Sequence, residues 1–163
     1  MTKNWFRTMI VVAAVGSALT AVAATSGAHF FSASGEVDGT AAMVVSFDEA
    51  GLGNETVHYV LKASASATYA CINGGLNHPR AANKETVAAQ VTESADFEPK
   101  NGRVHGTMLS GPLSCPSSFS CPPGQTMVLA CVKYEGAELS DATNGVETYI
   151  GTMARTFVAI PGC

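Results

Sequence analysis

From residue 57 to residue 71 every odd position is apolar (Val57, Tyr59, Leu61, Ala63, Ala65, Ala67, Tyr69, Cys71), whereas most even positions are polar (His58, Lys62, Ser64, Ser66, Thr68). Successive side chains of a strand point to opposite faces, so a period of two sustained this long describes one extended strand with a buried face and a wet face. A helix would scatter the same residues around its circumference. At roughly 3.3 Å per residue the segment is about 50 Å long, and only a sheet can satisfy its backbone.

The alternation recurs. Phe31, Ala33 and Val37 fall on one side of a first strand, Met43, Val45 and Phe47 on one side of a second, and Val87, Ala89, Val91, Ala95 and Phe97 on one side of a fourth. Between Gln125 and Leu139 residues 127–132 are apolar on both faces before alternation returns at 133–138, which suits a central strand emerging toward an edge. Shorter candidates are 103–109 and 146–160, the latter interrupted at Gly151. Between these runs stand Asp38-Gly39, Gly51-Leu52-Gly53-Asn54, Asn73-Gly74-Gly75, Asn101-Gly102 and Asn144-Gly145. Such pairs favour tight hairpins whose central residues need positive φ. No stretch carries a helical stripe. Seven or eight strands spaced by these turns predict an all-β, single-domain, two-sheet β-sandwich with Greek-key, immunoglobulin-like connections, a closed barrel being the alternative.

The first 28 residues differ from the rest: Lys3 and Arg7 precede an uncharged Val/Ala-rich run from Met9 to about Ala24, then small residues to Ala28. That order reads as a signal peptide, cut after Ala23 or Ala28, and predicts a secreted, extracellular protein. As a membrane anchor the run is too short, about 16 residues against the roughly 20 a spanning helix needs. Taking residues 1–28 as signal and 29–163 as the secreted domain leaves 135 residues, enough for one core, with no transmembrane span. Loss of Lys3 and Arg7 lowers Lys+Arg from 9 to 7 against 13 Asp+Glu, a net charge of −6. Scattered acids without a basic cluster argue against nucleic acid as a partner.

All five cysteines (Cys71, Cys115, Cys121, Cys131, Cys163) lie in the exported part, where thiols pair. An odd number leaves one free or intermolecular. Zinc is disfavoured, because the spacings from Cys115 to Cys121 and Cys131 contain no CxxC and no His lies among them.

Two longer connections break the rhythm of short turns: residues 72–85 (INGGLNHPRAANKE) and 110–125 (SGPLSCPSSFSCPPGQ). Loops held on a rigid sheet are the usual place for recognition, which makes Asn73, Asn77, His78, Arg80, Asn83 and Lys84 binding candidates for an unknown extracellular ligand. A Cys71 to Cys121 bridge would tie the roots of the two loops together. Either Cys115 or Cys131 could then join Cys163.

The segments AHF (28–30), SFDEAGLGN (46–54), ATYACINGG (67–75), NHPRAANKE (77–85), FSCPPGQ (119–125) and TNG (143–145) together resemble a family of small secreted proteins of actinobacteria with fungal relatives. The resemblance spans the mature chain and implies export and a β-rich fold; the family has no established activity, so no catalytic residues come with it. Among the cysteines it implies the Cys71–Cys121 pair. Cys115, Cys131 and Cys163 depart from its pattern.

A cut after Ala28 would make His29 the first residue, and an α-amine with an imidazole on one residue chelates copper; with a second His from His58, His78 or His105 a histidine brace follows. The plainer reading is that His29 opens the first strand. His78 in its loop, and His58 and His105 on polar strand faces, read as solvated residues. Asp48 and Glu49 beside the glycine turn at 51–54 would offer oxygens to calcium, but they lack alternating EF-hand acids and read as a solvated bend. No GxSxG, SxxK, HExxH, Walker or Rossmann pattern occurs. The expectation is therefore a secreted non-enzymatic binding, adhesive or cell-surface module, with no cofactor. A small copper redox protein built on His29 is the alternative. A long strand such as 57–71 would also pair with another chain if it lay at an edge.

Overall fold

The computed structural model describes residues 27–75 and 83–163, so the segment read as a signal peptide, apart from Gly27 and Ala28, lies outside the described residues. Among the described residues there are seven strands and no helix: β1 His29–Val37, β2 Met43–Ala50, β3 Val57–Asn73, β4 Lys84–Phe97, β5 Arg103–Ser110, β6 Gln125–Asp141 and β7 Val146–Thr156. They form two antiparallel sheets, β1-β2-β5 and β4-β3-β6-β7. The chain crosses between sheets after β2, β4 and β5, and hairpins join β1 to β2, β3 to β4 and β6 to β7. This is an immunoglobulin-like sandwich in which the fourth strand pairs with the third, in the larger sheet, rather than with the fifth.

The alternation of β3 puts Val57, Tyr59, Leu61, Ala63, Ala65 and Ala67 into the core, opposite Met43, Val45 and Phe47 of β2 and Val104 and Met108 of β5. At one end Phe30, Phe47, Tyr59 and Phe97 form an aromatic cluster, with Phe47 and Tyr59 centroids 4.6 Å apart. Gly106 makes room for it. A Cβ there would lie 2.3 Å from Phe47 Cζ, closer than any real contact. Toward the middle of sheet two, Tyr134 donates its hydroxyl to the Ala41 carbonyl at 2.9 Å, joining β6 to the β1–β2 turn.

Several details depart from the sequence pattern. A bulge between Phe30 and Ser32 shifts the register of β1, so Phe30 packs on the core and Phe31, expected inside, is 70% exposed under the Arg103 guanidinium. β6 does not emerge toward an edge after residue 132; from Cys131 to Asp141 it lies between β3 and β7, and it is its first residues, 125–130, that have β3 alone beside them. β3 is equally central, so it offers no free edge. β7 continues through Gly151, where the register shifts, and ends at Thr156 rather than 160. Of the turn pairs, Asn101 and Gly102 both take positive φ (54° and 73°), as a two-residue hairpin requires. Asp38-Gly39 works differently: Asp38 Oδ1 accepts from the backbone of Thr40 and Ala42, and Ala41 carries the positive φ.

Strand lengths are unequal. β1, β2 and β5 have 8 or 9 residues, whereas β3 and β6 have 17. The larger sheet therefore outruns the smaller beyond about Ala67, and that overhang must be covered by something other than a strand.

Candidate functional site

Two irregular segments clothe the overhang, one on each face. On the inner face the connection after β5 lies over Tyr69 and Cys71: Tyr69 donates its hydroxyl to the Leu113 carbonyl at 2.7 Å, Leu113 packs on the core, and Cys71 bonds to Cys121 with Cα atoms 5.5 Å apart. Burial raises the affinity of the Tyr69 hydroxyl for its proton, which keeps it a donor. Turns at Pro116–Phe119 and Pro122–Gln125 shape the rest of this loop. On the outer face the segment after β7 folds back: the Phe157 and Val158 amides donate to the Ala130 carbonyl, Ile160 packs on Ala70 and Ala130, and Cys163 bonds to Cys131. This double covering explains why β6 begins apolar on both faces.

The bridge between the loop roots is thus present, and Cys131, not Cys115, joins Cys163. Cys115 is a free, half-buried thiol whose Sγ lies 3.4 Å from Met127 Sδ. Of the loop candidates, Asn73 and Asn83 are exposed beside the Cys71–Cys121 bridge, and the Asn83 carbonyl accepts from the Cys71 amide at 3.0 Å. Lys84 is no loop residue. It opens β4, and its Nζ donates to the Pro161 carbonyl at 2.7 Å. Asn77, His78 and Arg80 lie outside the described residues. At the same end, a groove of about 240 Å³ runs over the outer face between β4, β3, β6 and β7, lined by Ser66, Thr68, Thr86, Lys133 and Cys163 among others. Its hydroxyls supply polar contacts, with Thr68 and Thr86 already 2.9 Å apart.

The three described histidines, His29, His58 and His105, do not gather. His29 Nδ1 lies 2.6 Å from the Gly27 carbonyl at the start of β1; His58 bonds Asp96 at 2.6 Å on the outer face of the larger sheet; His105 lies 3.5 Å from Asp48 on the outer face of the smaller one. Among the described residues no group of three or more His, Cys, Asp or Glu is placed to hold a metal. Asp48 and Glu49, adjacent in β2, face opposite ways and cannot share one cation. Asp48 points outward to Arg103, whose hydrogen bonds hold its carboxyl below the usual range.

Glu49 is the residue the sequence reading placed wrongly. It does not lie in a solvated bend; it is 0% exposed, facing the core at the end of β2. Extending the alternation of Met43, Val45 and Phe47 by one step would have found it. Neither of its oxygens completes a hydrogen bond, nor does the buried Tyr59 hydroxyl. Its polar neighbours are Tyr59 and Asp141, which oppose each other across β3 and β6. Asp141 is spent on its turn, accepting from the Thr143 and Asn144 amides, both at 2.8 Å. Burial first, then the nearby Asp141 charge, pushes Glu49 up to about 7 against the partial relief given by Tyr59. Burial and then Glu49 raise Tyr59 as well. Near neutrality this end of the sandwich therefore holds a proton that an exposed glutamate would have released.

The fold and its stapled loop end define an immunoglobulin-like, two-disulfide β-sandwich whose larger sheet carries an irregular cap on each face. Comparison of the chain with family models, curated proteins and solved structures gives no match. Among the described residues no helix is long and apolar enough to cross a membrane.

Proposed function

We propose that this chain is a secreted, non-enzymatic binding module of the cell exterior, its recognition surface being the capped overhang of the larger sheet. The observation that carries the reading is the Cys71–Cys121 bridge, which fixes the exposed loop after β5 to the strand from which Asn73 projects. Ordering a loop before it meets its ligand removes part of the entropy cost of binding. The disulfides also suit the oxidising exterior that the signal segment implies. The test is co-sedimentation with insoluble cell-wall polysaccharide, comparing the native protein with an Asn73→Ala, Asn83→Ala double variant and with a Lys62→Ala control on the opposite half of the sheet. Binding lost about tenfold in the loop variant and kept in the control is expected. Equal binding by all three, or none by the native protein, removes the reading.

The copper alternative rests on His29, exposed at the first residue of β1. It requires a chain that begins at His29, and terminal sequencing of exported protein followed by calorimetric copper titration decides it. A start at Ala24, or no saturable binding, ends it.

A further inference from the structure

We propose that β4 is a homodimer edge: two copies of this chain join β4 to β4 in antiparallel register about Gln90, making one eight-stranded sheet from two four-stranded ones. β4 is the outermost strand of the larger sheet, and ten of its fourteen residues are exposed with none buried. Its pairing with β3 is unbroken through fourteen residue pairs, so its outer edge presents a regular row of backbone donors and acceptors with no described strand against it. Sheet edges are ordinarily blunted by proline, a bulge, charge or brevity. β1 carries a bulge and β7 register shifts. β4 is long and unbulged and contains no proline or glycine; its charges (Lys84, Glu85, Glu93, Asp96) stand toward its ends, and its central seven residues, TVAAQVT (86–92), carry none.

The charges that β4 does carry select the second copy and its register. Lys84 and Asp96 stand equally far from Gln90 and on the same face. An antiparallel pair centred on Gln90 puts Lys84 opposite Asp96 of the other copy, twice by symmetry, and sets Glu85 opposite Ala95 and Glu93 opposite Val87. No like charges oppose. Slipping by one pair one way sets Glu85 against Glu93 twice, which is destabilising. Slipping the other way carries Lys84 past the end of the partner strand. An odd shift would set the inward row of Val87, Val91 and Ala95 against the wrong face. Lys84 and Asp96 already bond Pro161 and His58, but an ammonium has three donors and a carboxylate about four acceptor positions, so both can serve across the interface as well. The centred register pairs thirteen residues of each strand and forms about a dozen main-chain hydrogen bonds.

The test uses the whole mature chain with both disulfides, in a Cys115→Ser background so that the free thiol cannot link copies. Sedimentation is expected to show a concentration-dependent dimer. Lys84→Asp weakens it about tenfold, and the swap Lys84→Asp with Asp96→Lys restores it. Register is read by oxidation: Gln90→Cys faces itself across the two-fold axis at a Cα separation of about 4.5–5.5 Å, within disulfide range, and forms a covalent dimer. Thr92→Cys faces Ala88 and does not. A protein that stays monomeric at its highest soluble concentration, or links equally through positions 90 and 92, overturns the proposal.

Discussion

Replacing Cys71 and Cys121 together by serine lowers the stability of the protein by about 4 kcal/mol on the chain-entropy model, because the bridge closes a span of 50 residues that includes β4 and β5. For a domain of this size that is a fall of roughly 10–20 °C in Tm, read by calorimetry. The loss should be uneven. Hydrogen exchange should quicken at Tyr69 to Asn73, where the loop after β5 no longer covers β3, while Met43 to Phe47 stay protected within the two-sheet core. A double variant within 1 kcal/mol of the native protein would mean that the loop is held by Tyr69 and Leu113 and that the bridge is incidental.

The second large effect is a dependence on pH. Glu49 ionises near 7 in the folded protein and near 4.5 when unfolded. Below 4.5 both states hold the proton and burial of the carboxyl costs nothing through ionisation. As pH rises from 4.5 to 7 the unfolded chain releases the proton while the folded one keeps it, so stability falls; above 7 both are ionised and the full penalty remains. The difference between pH 5 and pH 8 is roughly 2 to 3 kcal/mol. Glu49→Gln removes the titrating group and keeps its shape. Denaturant unfolding of the variant is expected to lack this fall, leaving it the more stable protein at pH 8. Parallel stability curves for the two proteins would show that Glu49 is solvated, contrary to its position here. Asp48 and Asp38 act on the other side of the range: their carboxyls are held low by Arg103 and Thr40 respectively, so the stability they supply is present above pH 4 and is lost in acid.

Much of the architecture was legible because a two-residue period has few physical causes. The face of β3 that enters the core, the tight hairpin at Asn101-Gly102 and the two-sheet plan all follow from local rules applied to neighbouring residues. What was not legible depends on counting or on distance. One extra residue in β1 exchanges Phe30 for Phe31, and no side-chain pattern announces it. Alternation tells which way a side chain points but not which strand lies beside it, so β3 looked as ready to be an edge as β4, and β6 seemed to leave the sheet it runs through. Cys163 finds Cys131 because the chain turns back after β7, a matter of tertiary path rather than of spacing. Glu49 was misplaced for a different reason: the rule that charge belongs outside was allowed to override the period, and the period was right.

The unequal strand lengths carry one more implication. Sheet-to-sheet packing ends near Ala67, and beyond it the layer is completed by two segments without strand pairing, each anchored by one disulfide and a few contacts. Apart from Leu113 and Phe157, which pack on the main core, substitutions in those segments leave it untouched, so their energetic consequences should add to those of core substitutions instead of compounding them. Such a chain can diversify its outer end while its framework stays constant, and a library confined to residues 111–112, 114–120 and 122–124, which spares Leu113 and Cys121, would sample new surfaces without drawing on the stability of the sandwich.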